Sequence, residues 1–224
     1  MTRRQAVIFD MDGVIVDSEP RHERAFLEVV RQIGFGGGSP LRFADYIGRS
    51  DQELWVDFIA KCRPRETLEE LLALKRTRVL ELIRRERPLF DGLPELVAKL
   101  ATCYSLALAS GSERAVIEEV LSLGNLREFF SVAVTASDVS RGKPAPDIFL
   151  RAAELLRVSS ENCWVIEDSK PGIAAGLAAG MRVIAITNTY GAAELAHATH
   201  VVSSYSEIEA LLLPVMQGEP PACQ

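Results

Sequence analysis

Short runs of consecutive, mostly apolar residues recur along the chain, at 6–9, 105–109, 132–135, 163–166 and 183–186. Runs that do not alternate with polar residues describe strands buried on both faces, as in a parallel sheet covered by helices on either side. Between the later runs the apolar spacing lengthens to the helical period. Within 113–123, Val116, Ile117, Val120 and Leu121 share one face, and Gly124 stands where a helix would stop. Strand and helix in alternation predict an α/β fold with a doubly wound parallel sheet.

That rhythm fails between the first and second runs. Ala25, Phe26, Val29, Val30 and Ile33 form one helical stripe, and Leu54, Trp55, Phe58 and Ile59 a second. Leu68, Leu71, Leu72, Val79 and Ile83 suggest a long third helix. The stretch 17–87 therefore reads as an inserted helical cap domain, hinged near Val16 and Pro88, with the α/β core made by 1–16 and 88–224. Gly36-Gly37-Gly38 is expected to end the first helix as a turn, because the GxGxxG spacing of a phosphate loop fails at Ser39. Gly172, Gly176 and Gly180 would let one helix lie close on the sheet, with Ser169 and Pro171 at its start. Residues 217–224 read as a frayed tail.

Composition narrows the classes open to such a chain. A 48% hydrophobic, 25% charged sequence of 224 residues with 15 Gly and 11 Pro is that of a globular protein, not a disordered or collagen-like one. Thirty-one acids against 25 bases give a net charge of −6, which argues against a nucleic-acid partner. Cys62, Cys103, Cys163 and Cys223 show neither CxxC nor zinc-ligand spacing and fit reduced thiols in a cytoplasmic protein. Asp10 cuts the first apolar run too early for a signal peptide. The uncharged stretch 172–181 falls far short of the about 18 residues a membrane span requires, so no membrane partner is expected. The oligomeric state is left open, and a monomer is compatible with the sequence.

Candidate chemistry gathers at the strand ends. Asp10 and Asp12 follow the first strand, Ser110 the second and Glu167-Asp168 the fourth, while Lys143 lies in the loop after the third. Ligands of open α/β sheets bind at the carboxyl ends of strands, so these residues are expected to share one crevice. Carboxylates crowded together repel one another, and a divalent cation neutralises them; all-oxygen ligation favours magnesium. With Lys143 and the Ser110 hydroxyl added, the set suits a phosphoryl group, which an aspartate can attack as nucleophile.

The segment 9–19, FDMDGVIVDSE, resembles the first motif of the haloacid dehalogenase superfamily. Ser110-Gly111-Ser112, Arg141-Gly142-Lys143-Pro144 and Glu167-Asp168-Ser169 with Gly172-Ile173 resemble its second, third and fourth, in order. Within the superfamily the chain is similar to the β-phosphoglucomutase and phosphoglycolate phosphatase branch, which carries a helical cap after the first motif. The resemblance implies that Asp10 is the nucleophile and Asp12 the general acid and base. It implies magnesium held by the Asp10 carboxylate, the Asp12 carbonyl and Asp168, with Glu167 a direct or water-mediated ligand. Ser110, Gly111 and Lys143 would hold phosphoryl oxygens.

A cap of this kind would select the substrate, a small phosphorylated metabolite such as a sugar phosphate or phosphoglycolate. Its candidate contacts are His22, Arg49 and Asp51, with Trp55, Lys75 and Arg78 behind them. In β-phosphoglucomutases the loop resembling 47–51 carries an arginine just after its serine, where this chain has Asp51. The expected activity is thus magnesium-dependent hydrolysis of a phosphomonoester through an aspartyl-phosphate. The alternatives are a phosphosugar mutase and a noncatalytic metabolite-binding protein.

Overall fold

All five apolar runs are strands: β1 Ala6–Phe9, β2 Ser105–Ser110, β3 Phe130–Thr135, β4 Cys163–Glu167 and β5 Arg182–Ile186. A sixth, β6 His200–Val202, carries too few residues to show a pattern in the sequence. The computed structural model describes residues 5–36, 38–46 and 50–213. The chain divides into two compact units, Met1–Val16 with Leu89–Gln224, and Asp17–Pro88.

In the first unit the strands lie in the order β3-β2-β1-β4-β5-β6, and every pairing is parallel. From β1 the chain moves outward through β2 to β3, then returns to lay β4 on the opposite side of β1. The winding therefore reverses between β1 and β4, which opens a crevice at the carboxyl ends of those two strands. Helices α6 Asp147–Leu156 and α7 Lys170–Ala178 bury Phe149, Ala152, Ile173 and Ala175 with Ile8, Ala107, Val165 and Val183 on one face of the sheet. The alternate residues Val7, Phe9, Leu108, Ile166 and Ile184 are buried as well, so the central strands β1 and β4 are covered on both faces. Helices α4 Leu93–Leu100, α5 Arg114–Leu123 and α8 Tyr205–Leu212 complete this unit.

Of the three glycines spaced by four, Gly176 does what the spacing suggests. A Cβ there would come 2.7 Å from Val183 Cγ2, so its absence lets α7 press on β5. Gly180 instead has open space around it and a φ of +74°, which makes it a turn residue. Ser169 caps α7, its hydroxyl accepting from the Gly172 amide at 3.1 Å.

In the second unit, α1 Glu19–Gln32, α2 Asp51–Cys62 and α3 Leu68–Glu86 enclose Phe26, Val29, Val30, Leu54, Trp55, Phe58 and Leu71. Reciprocal capping boxes, Ser50 with Glu53 and Thr67 with Glu70, start α2 and α3. The glycine triplet does not end α1. The helix stops at Gln32 and turns at Gly34, whose φ of +95° is reached before the triplet begins; Gly37 lies outside the described residues. The tail at 217–224 lies outside them too. Among the described residues no helix is long and apolar enough to cross a membrane.

Candidate active site

The site begins where β1 ends. The Asp10 amide donates to Ile166 O at 2.9 Å, extending the ladder to β4 and fixing Asp10 at the reversal point of the sheet. The Met11 carbonyl then accepts from the amides of Val14, Ile15 and Val16 at 3.2, 2.8 and 3.1 Å, curling residues 11–16 into a tight turn. Gly13 sits within it at φ +76°, and a Cβ there would overlap the Asp168 carboxylate. Glycine is required on both grounds.

Asp10, Glu167 and Asp168 are buried, with one carboxylate oxygen from each lying within 4.8 Å of the others. Lys143 enters from the loop after β3, donating to Asp10 Oδ1 at 2.5 Å and to Glu167 Oε1 at 2.7 Å. The second oxygen of Glu167 accepts from the Asp168 amide, the Ser169 amide and the Ser169 hydroxyl at 2.9, 2.9 and 2.8 Å. The Glu167 carboxylate lies directly against Gly172, where a Cβ would overlap it. Gly172 is therefore a residue of the site, not of sheet packing.

Three buried carboxylates against one ammonium leave an excess of negative charge. Burial pushes the Asp10 carboxyl up to about 8, with repulsion from Glu167 and Asp12 adding to it and Lys143 opposing. Asp168 is likewise raised, by burial first and then by Glu167 and Asp10. Hard oxygen donors carrying surplus charge in a buried cluster fit a divalent cation, which removes the repulsion that otherwise forces protonation.

Asp12 stands apart from that cluster. Its Oδ2 accepts from the Ser112 hydroxyl at 2.7 Å and the Ser110 hydroxyl at 3.2 Å, and Ser110 Oγ also accepts from the Ser112 amide at 3.0 Å. Ser110 is fully buried, whereas Gly111 is exposed. The structure thus brings Asp10, Asp12, Ser110, Lys143, Glu167 and Asp168 to neighbouring strand ends of one unit. It adds two groups that the sequence did not single out. Ser112 lies two residues past Ser110, at the end of the motif that follows β2. Thr189, whose hydroxyl donates to Asp168 Oδ2, lies three residues beyond β5, and applying the strand-end rule to that strand as well would have reached it.

In the second unit Lys75 Nζ lies 2.9 Å from His22 Nδ1 and pairs with Asp51 Oδ1. Lys75 is fully buried, where an α3 lysine would ordinarily be solvated. Although burial works against it, Lys75 and His22 hold the Asp51 carboxyl below its ordinary value. Trp55 is a buried core residue, packed on Phe26 and Phe58 at 5.0 and 5.4 Å between ring centres. Arg78 is tied to Glu81 at 2.8 Å and Gln32 at 3.3 Å on the helix surface. Arg49 lies outside the described residues.

The doubly wound parallel sheet thus carries a buried acidic cluster and a lysine at its switch point. Residues 7–186 match the haloacid dehalogenase-like hydrolase family, and the chain belongs to it. Hexitol phosphatase B of Escherichia coli (strain K12) is 35% identical over 187 residues, 81% of this chain and 82% of that protein. A fructose-1-phosphate phosphatase of the same strain is 34% identical over 192 residues, 81% of this chain and 96% of that protein. Among solved structures, CbbY of Rhodobacter sphaeroides in complex with xylulose-(1,5)bisphosphate superposes with a TM-score of 0.80 at 25% identity, over 91% of this chain and 96% of the other.

Proposed function

We propose that the protein is a magnesium-dependent phosphatase of a small phosphorylated sugar or sugar alcohol. The observation that carries this reading is the pair of aspartates two residues apart in unlike surroundings: Asp10 beside Lys143 in the acidic cluster, Asp12 held by two serine hydroxyls. Unlike environments suit unlike roles, a nucleophile and a proton carrier.

In this mechanism an Asp10 oxygen forms a bond to phosphorus as the bond to the sugar oxygen breaks. The departing oxygen keeps the electron pair and takes a proton from Asp12. Asp12, now ionised, accepts a proton from water, whose oxygen attacks phosphorus and frees Asp10. The products are the free sugar or sugar alcohol and phosphate. Lys143 uses two of its three N–H bonds on Asp10 and Glu167, leaving the third for a phosphoryl oxygen. Ser110 and the Gly111 amide would bind the same group. Asp10, the Asp12 carbonyl and Asp168 would hold magnesium, with Glu167 reaching it through water. When bound, the cation supplies positive charge against the phosphoryl oxygens.

Substrate discrimination is assigned to His22, Asp51 and Lys75, since Lys75 is the buried charged side chain among the described residues of the second unit. An acid, Asp51, engaged by Lys75, stands where β-phosphoglucomutases carry an arginine just after the loop serine, which disfavours a mutase.

The test is a panel of hexitol phosphates, fructose 1-phosphate and phosphoglycolate, ranked by kcat/KM with magnesium and again in excess EDTA. Phosphate release that requires magnesium and disappears in Asp10→Asn is expected. Full activity in EDTA, or in Asp10→Asn, would overturn the mechanism. Conversion of β-glucose 1-phosphate to glucose 6-phosphate with a trace of bisphosphate would establish the mutase instead.

A further inference from the structure

The segment that follows β5 makes two polar contacts to the site and one to α8. Thr189 donates its hydroxyl to Asp168 Oδ2. Asn188 Nδ2 donates to Gly13 O at 2.8 Å and to the Tyr205 hydroxyl at 3.1 Å. Tyr205 in turn donates to Val14 O at 2.7 Å. Two successive carbonyls of the turn that follows Asp12 are therefore held by side chains from beyond β5, and the carboxylate at the end of β4 is held by their neighbour.

Gly13 is where these contacts meet. A Cβ there would overlap Asp168 Oδ2 and come 2.8 Å from Thr189 Oγ1, so the bare backbone of residue 13 leaves room for the carboxylate and the hydroxyl together. Asp168 needs such an anchor. Glu167 accepts four hydrogen bonds and Asp10 is paired with Lys143, whereas Thr189 supplies the side-chain hydrogen bond given to Asp168. A carboxylate on a two-bond side chain can swing about its χ angles, and a cation is bound tightly only when its oxygens are already aimed.

We propose that Thr189 is a positioning residue of the cation site, holding the Asp168 carboxylate in its ligating orientation, with Asn188 and Tyr205 fixing the Gly13–Val14 backbone against it. The inference rests on the reading that Asp168 is a magnesium ligand, and it does not depend on which phosphate ester is hydrolysed.

Magnesium chloride is titrated by calorimetry into the full chain, wild type and two variants, with thermal melting to establish that each is folded. Thr189→Val keeps the shape and removes the donor. Thr189→Ser keeps the donor and removes a methyl group. Groups that orient metal ligands typically contribute about 10–100-fold to affinity, so Thr189→Val is expected to weaken magnesium binding by at least about 10-fold. Thr189→Ser is expected to restore it. In turnover, Thr189→Val should raise the magnesium concentration needed for half-maximal rate and approach wild-type kcat when magnesium saturates. Unchanged magnesium affinity in folded Thr189→Val, equal weakening in both variants, or no magnesium binding by wild type would each overturn the proposal. Should no phosphate ester be hydrolysed while Thr189→Val still weakens magnesium binding, the assigned activity fails and the positioning role stands.

Discussion

At the scale of single residues, the two proton transfers proposed for Asp12 can be separated by experiment. A sugar alkoxide leaves only when protonated, whereas p-nitrophenolate is stable enough to leave alone, so the first step with p-nitrophenyl phosphate does not need the acid. Hydrolysis of the aspartyl-phosphate still needs the base. Asp12→Asn should therefore release a burst of p-nitrophenolate equal to the enzyme present and then slow by about 10²–10⁴-fold, with no burst of alcohol from a sugar phosphate. Rapid-quench kinetics reads this, and steady turnover without a burst would assign the second proton transfer elsewhere. Asp10, Asp12, Glu167 and Asp168 were legible in the sequence because each follows a recognisable apolar run. Lys75 was legible only as a charge on a helical face. Its full burial beside His22 and Asp51 comes from the packing of α1, α2 and α3, which no local pattern encodes.

At the scale of elements, α7 shows how one spacing can serve different ends. Gly176→Ala forces a methyl group against Val183 and should cost about 1–3 kcal/mol of stability while leaving magnesium affinity alone. Gly172→Ala should do the reverse, displacing the Glu167 carboxylate and with it Lys143, so that activity falls more than stability. Denaturant melts and kcat/KM measured on both variants check the distinction; equal losses in both quantities for both variants would remove it. The five long strands could be read from their buried runs. β6 could not, because His200–Val202 is a short strand at the sheet's edge with an exposed histidine. The polar residues after β5 were missed for a related reason, since Asn188 and Thr189 read as an ordinary turn until the fold sets them against Gly13 after β1 and Asp168 after β4.

At the scale of the whole molecule, the acidic cluster links stability to pH. Burial pushes the folded Asp10 carboxyl up to about 8, against an ordinary value of 3.8. Between these values the folded chain binds the extra proton, so this group's contribution to stability falls as pH rises through that window. Magnesium, by replacing the proton, should stabilise the protein more at about pH 9 than at about pH 6, and thermal melts with and without magnesium measure the difference. A magnesium effect independent of pH would exclude a protonated Asp10 in the metal-free protein.

The ends of the inserted helices have a consequence of another kind. Val16 and Leu89 form an antiparallel bridge, Phe90 donates to Ile15 O at 3.3 Å, and the Asp17 amide donates to Pro88 O at 2.9 Å. The departing and returning chains are thus stitched side by side before the first helix begins and after the third ends. Whatever lies between Asp17 and Pro88 can be lengthened, shortened or exchanged without moving β1 by a residue. A lineage can then exchange the helices between them by recombination at this seam while the two aspartates that follow β1 stay where they are.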